Sequence, residues 1–375
     1  MPHACWMNCP RPVVAPAGAV LALLMLATGS GSAQKSADAP VSPLKQITKE
    51  ARLALIRKAH VWRETNVPEM DLKAGPQGHG AFALDQMVTC DYVESKSSGN
   101  SPKFDCAISP GDVVKVKYGK DNGEVQAEVL STRLLWALGF GADRMYPVRV
   151  TCRGCSTDPS HKRAPVAGAQ LFDPAVIERK LAGHEIQTVN SPGWTFSELD
   201  LVDEAQGGAS TAQRDALKLL AVFIQHTDSK QQQQRLICVA PGEADGECAP
   251  FMMLNDVGQT FGNANLFNRD NVSSVNFEGW SRTSVWTGAA GCVGHMSKSL
   301  TGSLGDPKIS EAGRSWLADR LSQLTDQQLQ DLFAAAGVGG RSRKPGTVES
   351  SATVLEWTAA FKRKRDEIVN RRCEA

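Results

Sequence analysis

Residues 226–236 read HTDSKQQQQRL: a histidine, an aspartate and a lysine at alternate positions, then four glutamines and the start of an apolar run. The stretch follows residues 210–225 (STAQRDALKLLAVFIQ), whose apolar spacing predicts a helix. Two runs that predict strands come next, RLICVA (235–240) and PFMMLND (250–256). Polar side chains in such a loop form either a catalytic site or an ordinary solvated helix end. The rest of the sequence has to distinguish the two.

The sequence before this stretch predicts a small sheet interrupted by one helix. Strand-like runs occur at MVTCDYV (87–93), FDCAI (104–108), VVKVKYG (113–119) and YPVRV (146–150). Residues 124–138 (EVQAEVLSTRLLWAL) carry the clearest helical pattern in the chain, which ends at Gly139 and Gly141. This order predicts a small β-rich lobe.

Helices dominate the prediction for the rest of the chain. One helix is predicted at residues 46–63, and beyond Cys155 the patterns predict helices at 210–225, 310–324, 326–337 and 354–372. We therefore predict an α+β protein with a small β-rich N-terminal lobe and a mostly helical C-terminal lobe.

The composition is that of an ordinary soluble globular protein, with 42% hydrophobic and 22% charged residues. The formal net charge of +1 gives no basic excess for binding nucleic acid. Residues 1–33 are different, because Arg11 precedes an apolar run at 17–29 and small residues lead up to Ala33. This order predicts a signal peptide cleaved near Ala33, and hence a secreted or periplasmic protein. We expect no membrane span in the mature chain.

Eight cysteines follow the predicted signal peptide, and an even number in an exported chain predicts disulfides. Local spacing favours the pairs Cys90–Cys106, Cys152–Cys155 and Cys238–Cys248, which leaves Cys292–Cys373 by elimination. The CRGC sequence at 152–155 is also compatible with half of a zinc site or with a redox pair. We favour a structural disulfide, because the chain has no second CxxC and no thioredoxin-like setting.

Several motif residues now fit one pattern. His226, Asp228 and Lys230, with a side-chain amide at Gln233, have the spacing of the motif HRDLKPEN, although Gln replaces Asn. Asp256-Val-Gly resembles DFG, and the order helix, loop, strand, turn, strand is also shared. On these residues the chain resembles the protein-kinase superfamily. Predicted export and disulfides make it most similar to the atypical secretory-pathway kinases.

The resemblance implies a kinase-like phosphotransferase that uses ATP and Mg²⁺. Asp228 would accept the hydroxyl proton of an acceptor, and Lys230 would steady the γ-phosphate. Asp256 would ligate Mg²⁺, with Gln233 as a second ligand. Asp228 and Asp256 are 28 residues apart, and residues 239–247, between two cysteines, account for the length as a disulfide-closed hairpin extension.

The upstream half contributes a cation and its partner. Lys117, in VKVK, resembles the strand lysine that would hold the α- and β-phosphates, and Glu128 resembles the helix glutamate that would orient it. Lys115 has the same strand parity as Lys117, and Glu124 shares the helix face of Glu128, so both alternatives stay open. GPQGHGAF (75–82) is a candidate nucleotide loop, although the family's glycine spacing is not reproduced.

The predicted organisation follows from these assignments. The predicted segments are a signal peptide (1–33), a leader with one helix (34–74), an N-lobe (75–150), a C-lobe (151–345) and a C-terminal helix (346–375). The acceptor is a protein, a glycan or a small molecule. A secreted pseudokinase that binds nucleotide or acts as a scaffold is the first alternative, and an unrelated disulfide-stabilised secreted binding protein is the second. The kinase-like hypothesis requires a Lys117–Glu128 ion pair close to Asp256 and Asp228.

Overall fold

The structure, a computed structural model, describes residues 47–94, 101–120, 122–161, 166, 168–188, 190, 192–239, 248–262, 275–296, 302–340 and 352–373. The predicted signal peptide (1–33) and the leader up to residue 46 lie outside these residues. The first described helix, α1, is Lys49–Arg57, shorter than the 46–63 predicted.

Five strands form a closed barrel in the order β1-β2-β3-β5-β4. They are β1 (Gln86–Val93), β2 (Lys103–Ser109), β3 (Asp112–Tyr118), β4 (Arg144–Arg153) and β5 (Ala169–Arg179). β1 and β4 close the barrel by parallel pairing, whereas the other neighbours pair antiparallel. Alternate apolar side chains such as Val88, Phe104, Val114 and Val148 pack in one buried cluster. The period-2 pattern of the sequence produces this interior.

The sequence does not predict β5, because the patterns beyond Cys155 predict a mostly helical chain. The strand contains the Asp173–Pro174 bond, and a proline inside a run argues against a strand in a sequence-based prediction. β5 pairs with both β3 and β4. The barrel therefore uses residues on both sides of the N-lobe boundary predicted at residue 150.

Helix α2 (Glu124–Leu138) lies between β3 and β4 in the chain, with the bounds that the sequence predicts. Its C-cap is Gly139, with a left-handed φ of 88°. A Cβ atom there would lie 2.1 Å from the Arg63 carbonyl oxygen, so only glycine fits at this helix end.

The rest of the described chain combines a small sheet with five helices. The strands β6 (His184–Glu185), β7 (Gln234–Val239) and β8 (Ala249–Leu254) form an antiparallel sheet. The helices are α3 (Thr211–Phe223), α4 (Phe277–Arg282), α5 (Glu311–Ser322), α6 (Asp326–Ala335) and α7 (Val354–Val369). The four predicted helices correspond to α3, α5, α6 and α7. The α+β prediction is confirmed.

An aromatic cluster holds these helices together. Phe223 of α3, Trp280 of α4, Phe333 of α6, and Trp357 and Phe361 of α7 contact one another through their rings. All are almost fully buried, and large aromatic side chains contribute much of the apolar area in such a core. No helix in the described part of the chain is long and apolar enough to cross a membrane.

Four disulfides join the eight cysteines in the three pairs that local spacing favours and in the fourth pair that elimination leaves. The Cys152–Cys155 bond means that CRGC is not half of a zinc site in this structure. Cys90–Cys106 links β1 to β2, and Cys292–Cys373 ties the end of the chain to a loop before α5. Disulfides are compatible with an extracellular protein.

Replacing both Cys238 and Cys248 with alanine is expected to lower the free energy of unfolding. The two residues are 10 apart in sequence, and for such a loop the chain-entropy relation gives about 2–3 kcal/mol. The matched control replaces Cys152 and Cys155, which are 3 apart, and should lower it by about 1.5 kcal/mol. Urea unfolding of the oxidised proteins measures both. A larger loss of unfolding free energy in the Cys152/Cys155 variant than in the Cys238/Cys248 variant would contradict the expectation.

Candidate active site

Lys117 lies near the end of β3 and points away from the barrel interior into a group of carboxylates. Its ammonium contacts the carboxylate of Glu128, lies 3.4 Å from Glu124 Oε2 and lies 3.9 Å from Asp256 Oδ1. Lys117 is 3% exposed and Glu128 is fully buried. The Lys117–Glu128 ion pair that the kinase-like hypothesis required is therefore present, and Asp256 lies beside it.

The connection from β3 to α2 creates this ion pair. The Asn122 backbone N–H donates to the Gly119 carbonyl oxygen, and the Asn122 side-chain oxygen accepts from the Glu124 backbone N–H at 3.2 Å. The chain thus turns and starts α2 within a few residues of Lys117. Glu124 and Glu128 are four residues apart on the same helix face, so both carboxylates reach the ammonium.

Lys115, the alternative to Lys117, has another partner. Its ammonium lies 3.2 Å from Glu178 of β5, and its side chain is 33% exposed. Glu178 also contacts Lys180. Strand parity alone could not separate the two lysines, but the position of α2 does, because its glutamates lie against Lys117.

The charged groups around Lys117 shift one another's pKa values. Burial opposes the charged form of Lys117, but the carboxylates of Glu128, Asp256 and Glu124 raise its pKa well above the ordinary value. Burial also opposes ionisation of Asp256, yet the Lys117 charge and the Gly258 N–H lower the pKa of its carboxyl group. Lys117 therefore stays protonated and Asp256 stays ionised near neutral pH.

The HTDSK loop is fixed by the segment that follows Asp256. After α3, Gln225 adopts a left-handed φ of 54°. The Ile224 carbonyl oxygen accepts from the Phe261 N–H at 2.7 Å, and the Thr227 N–H donates to the Gln259 carbonyl oxygen at 3.1 Å. These backbone bonds hold the two segments side by side.

Asp228, Lys230 and Gln233 form a second polar group within this loop. The Lys230 ammonium donates to both carboxylate oxygens of Asp228, at 3.0 and 2.7 Å. The Gln233 side-chain Nε2 donates to Asp228 Oδ2 at 2.8 Å. Asp228 is thus held by two donors from its own loop, and the Gln233 amide nitrogen is directed at Asp228.

The Gln233 backbone joins the two polar groups. Its carbonyl oxygen accepts from the N–H groups of Asn255 (2.8 Å) and Asp256 (3.2 Å). The β7–β8 hairpin, closed by Cys238–Cys248, brings these residues together although Asp228 and Asp256 are far apart in sequence. The structure therefore brings together two polar groups. The first consists of Lys117, Glu128 and Asp256, and the second consists of Asp228, Lys230 and Gln233. The Gln233 backbone connects the two groups.

Gly258, two residues after Asp256, allows α2 to approach this segment. A Cβ atom at this position would lie 2.7 Å from Glu124 Cγ and 3.1 Å from Glu124 Oε2. The Gly258 N–H donates to Asp256 Oδ1 at 3.2 Å. The glycine of the Asp-Val-Gly motif thus leaves room for the Glu124 carboxylate beside Asp256.

Sequence reasoning missed a charged network on the neighbouring side of Asp256. Fully buried Asp143 contacts Arg235 at 2.6 Å and Lys180 at 2.9 Å, and Lys180 also donates to Asn255 Oδ1 at 3.1 Å. Lys180 directly follows the unpredicted strand β5, so no sequence pattern associates it with Asp256. The network holds the side chain of Asn255, the residue that precedes Asp256.

The glycine-rich loop at 75–82 contacts a different set of residues. The Pro76 carbonyl oxygen accepts from the Tyr146 hydroxyl at 2.9 Å, and the Gly80 carbonyl oxygen accepts from Arg179 Nε at 3.2 Å. Lys103, in contrast, lies directly opposite Lys117 in the pairing of β2 with β3. The chain preceding Lys103, which joins β1 to β2, includes residues 95–100, outside the described part.

His226, the first residue of the HTDSK loop, is fully buried. Neither ring nitrogen has a hydrogen-bond partner among the residues that the structure describes, and the Phe196 ring lies 6.3 Å away. Burial lowers the pKa of His226 to about 4, against the weaker opposing effect of Asp228 and Asp256. The imidazole is therefore neutral in the folded protein near neutral pH.

His226 is expected to make the folded protein sensitive to acid. The unfolded chain takes up a proton near pH 6.5, whereas the folded chain resists protonation until pH is about 4. The contribution of neutral His226 to the free energy of unfolding is complete above about pH 6.5 and is lost as pH falls towards 4. Over this range the free energy of unfolding changes by up to about 1.4 kcal/mol per pH unit. Urea unfolding between these pH values should show a smaller slope for His226→Leu. Exposed His60→Gln is the control, and an unchanged slope in His226→Leu would contradict the assignment.

Neither comparison by sequence finds a match for this chain. No protein-family model matches the chain, and no curated protein matches it. Among solved structures the chain is similar to the Helicobacter pylori proinflammatory kinase CtkA, at 10% identity and a TM-score of 0.36, over 76% of this chain and 95% of that chain. A likeness at this TM-score and identity assigns no function to this chain.

Proposed function

We propose that this chain is a two-lobed, kinase-like phosphotransferase that uses ATP and Mg²⁺. The barrel with α2 corresponds to the N-lobe, and the small sheet with α3 and the later helices corresponds to the C-lobe. The observation that carries the proposal is the buried Lys117–Glu128 ion pair beside Asp256. In protein kinases a strand lysine, a helix glutamate and a metal-binding aspartate must be in place together.

Lys117 and Glu128 would bind and orient the nucleotide. A fully charged ammonium at the end of β3 is suited to the α- and β-phosphates. Burying such a charge is unfavourable unless it is paired, and Glu128 supplies the pair. Glu128 therefore acts as a positioning residue that keeps Lys117 directed at the phosphates.

Asp256 would hold Mg²⁺, and its surroundings fit a divalent cation. Oxygen atoms of Asp256, Glu124 and Glu128 lie within 4.8 Å of one another, with the Lys117 ammonium as their close counter-charge. Glu128 Oε2 is buried and has no hydrogen-bond partner among the described residues. Hard carboxylate ligands and excess negative charge are what Mg²⁺ requires. When bound, ATP and Mg²⁺ supply the γ-phosphoryl group and neutralise its developing charge.

Asp228 would act as the general base. As the acceptor oxygen bonds to the γ-phosphorus, its proton passes to the Asp228 carboxylate and the bond to the bridging oxygen of ADP breaks. Lys230, which pairs with Asp228 in the structure, would steady the γ-phosphate. Gln233 would orient Asp228 through Nε2, and its amide oxygen would be the second Mg²⁺ ligand.

The acceptor is a protein, a glycan or a small molecule, and we propose that the enzyme acts outside the cytoplasm. Four disulfides support export, because such bonds persist in oxidising compartments. The signal peptide near Ala33 remains a prediction.

A secreted pseudokinase is the second candidate. The bond between Gln233 Nε2 and Asp228 Oδ2 favours it, because this interaction occupies both the candidate base and the candidate metal ligand. The fold would then bind nucleotide or act as a scaffold without phosphoryl transfer. An unrelated secreted binding protein is the third candidate, and it does not account for the Lys117–Glu128–Asp256 group.

Incubating the purified, oxidised protein with γ-labelled ATP and Mg²⁺ tests the proposal. Labelled phosphate should appear on the protein itself or on added acceptors, or be released to water, faster than in the absence of protein. Nucleotide binding without any transfer would favour the pseudokinase. The absence of both binding and transfer would contradict the kinase-like assignment.

A further inference from the structure

Lys103 begins β2 and lies directly opposite Lys117 in the antiparallel pairing of β2 with β3. Directly opposite residues of an antiparallel pair point to the same face of the sheet, with Cβ atoms about 4.5–5.5 Å apart. Phe104 and Val116, the next pair along, point into the barrel interior. Lys103 and Lys117 therefore share the outer face of the barrel.

The backbone fixes Lys103 beside the start of α2. The Pro102 carbonyl oxygen accepts from the Tyr118 N–H at 3.2 Å and from Asn122 Nδ2 at 3.3 Å. The Asn122 side-chain oxygen in turn accepts from the Glu124 N–H in the first turn of α2. The turn that starts α2 therefore also holds the chain immediately before Lys103.

Lys103 is a half-buried cation without a carboxylate partner of its own. Its ammonium makes no ion pair or hydrogen bond with the residues that the structure describes, whereas Lys117 and Lys115 each pair with a glutamate. Asp105, the other charged residue on this face of β2, lies opposite Lys115. Like charges placed directly opposite each other in a sheet are destabilising, so the Lys103–Lys117 pair is unfavourable without a shared anion.

The pKa of Lys103 reflects the same surroundings. Burial and the charge of Lys117 lower this pKa, against a weaker opposing effect of Glu124 and Asp256. The fold therefore disfavours the charged form of Lys103 relative to water. An anion that contacts the ammonium would replace the solvation that burial removes.

We propose that Lys103 binds the polyphosphate of the nucleotide beside Lys117, as a second phosphate-binding lysine. The negative charge of the phosphates offsets both opposed lysines, while Lys117 keeps its contact with Glu128. Lysine binds phosphate oxygens as a point charge, which suits a flexible polyphosphate. The identity of the ligand, a nucleoside triphosphate, rests on the proposed function.

Isothermal titration calorimetry of the oxidised protein in the presence of Mg²⁺, with ATP and with inorganic tripolyphosphate, tests the proposal. Lys103→Met should raise the Kd of both ligands at least about tenfold, because a charge-assisted contact with phosphate is lost. Lys103→Arg keeps the charge, so its Kd for both ligands should stay within about threefold of the parent value.

Lys115→Met is the matched control, because it removes the same charge from the same face of the barrel, where Lys115 pairs with Glu178. Its Kd for both ligands should equal that of the parent. Lys103→Met should unfold at no lower urea concentration than the parent, because the fold disfavours the charge that is removed. If Lys103→Met does not fold, Lys103→Gln takes its place with the same expected rise in Kd.

The two ligands separate this proposal from the proposed function. If the parent binds ATP and Lys103→Met binds both ligands as tightly as the parent, Lys103 is not a phosphate-binding residue and the kinase-like assignment is unaffected. A Kd as high in Lys103→Arg or Lys115→Met as in Lys103→Met would also overturn the proposal. Binding of tripolyphosphate through Lys103 without any binding of ATP would support the phosphate site and contradict the proposed function. A parent that binds neither ligand would contradict both.

Discussion

Phosphoryl transfer by the Asp228→Asn variant is expected to be about 10³-fold slower than by the parent protein. The amide has nearly the same shape as the carboxylate but does not accept the acceptor's proton. It still accepts a hydrogen bond from Lys230, so the loop should keep its conformation. The measurement is kcat with γ-labelled ATP, and Mg²⁺–ATP affinity should change by less than about threefold.

Asp326→Asn is the control for Asp228→Asn. Asp326 also pairs with a lysine, Lys362, but this pair lies on the surface between α6 and α7. Its removal should leave kcat unchanged. An Asp228→Asn variant with parental kcat would show that Asp228 is not the general base.

Lys117→Met is expected to lower the free energy of unfolding by about 3 kcal/mol and to abolish phosphoryl transfer. Removing one partner of a buried ion pair leaves an uncompensated charge, here on Glu128. Burial already raises the pKa of Glu128 well above its ordinary value, and losing Lys117 raises it further. The loss of stability should therefore become smaller as pH falls and Glu128 takes up a proton. Urea unfolding at several pH values measures this effect.

The double variant Lys117→Met/Glu128→Leu separates stability from activity. Replacing both members of a buried pair by apolar side chains is often neutral, so stability should recover while transfer stays absent. Lys115→Met is the control, because Lys180 still neutralises Glu178. A stable Lys117→Met variant at every pH would contradict the buried ion pair.

The sequence predicted the elements of the candidate site better than the choice of residues within them. The bounds of α2 followed from its helical pattern and from glycine at its end. The choice between Lys115 and Lys117 needed the turn through Asn122, because residues two apart on a strand share one face. The shared helix face makes Glu124 and Glu128 alternatives in the sequence, whereas both carboxylates approach Lys117 in the structure.

Strand β5 marks the limit of the sequence-based prediction. Its internal proline obscured the strand pattern, and its place in the barrel depends on pairing with β3 and β4. Glu178 and Lys180, which lie at its end, were therefore not connected with the site. Long-range pairing of this kind leaves no local signal in a single sequence.

Gln233 shows a different limit. Its distance from Asp228 along the chain identified it as a metal-ligand candidate, but the direction of its side chain depends on local packing. The structure directs its Nε2 at Asp228 and its backbone carbonyl oxygen at Asp256. The same residue thus connects the candidate base to the candidate metal ligand, which spacing could not indicate.

Thermal unfolding of the parent protein and of Asp256→Asn, titrated with Mg²⁺ and ATP, tests the kinase-like assignment most directly. We expect the parent protein to be stabilised only when Mg²⁺ and ATP are both present. The expected gain in the free energy of unfolding is about 2.7 kcal/mol at a ligand concentration 100-fold above Kd. Asp256→Asn should lose this stabilisation, because the amide is a poor ligand for Mg²⁺. No stabilisation of the parent at about millimolar nucleotide, or equal stabilisation of Asp256→Asn, would contradict the account.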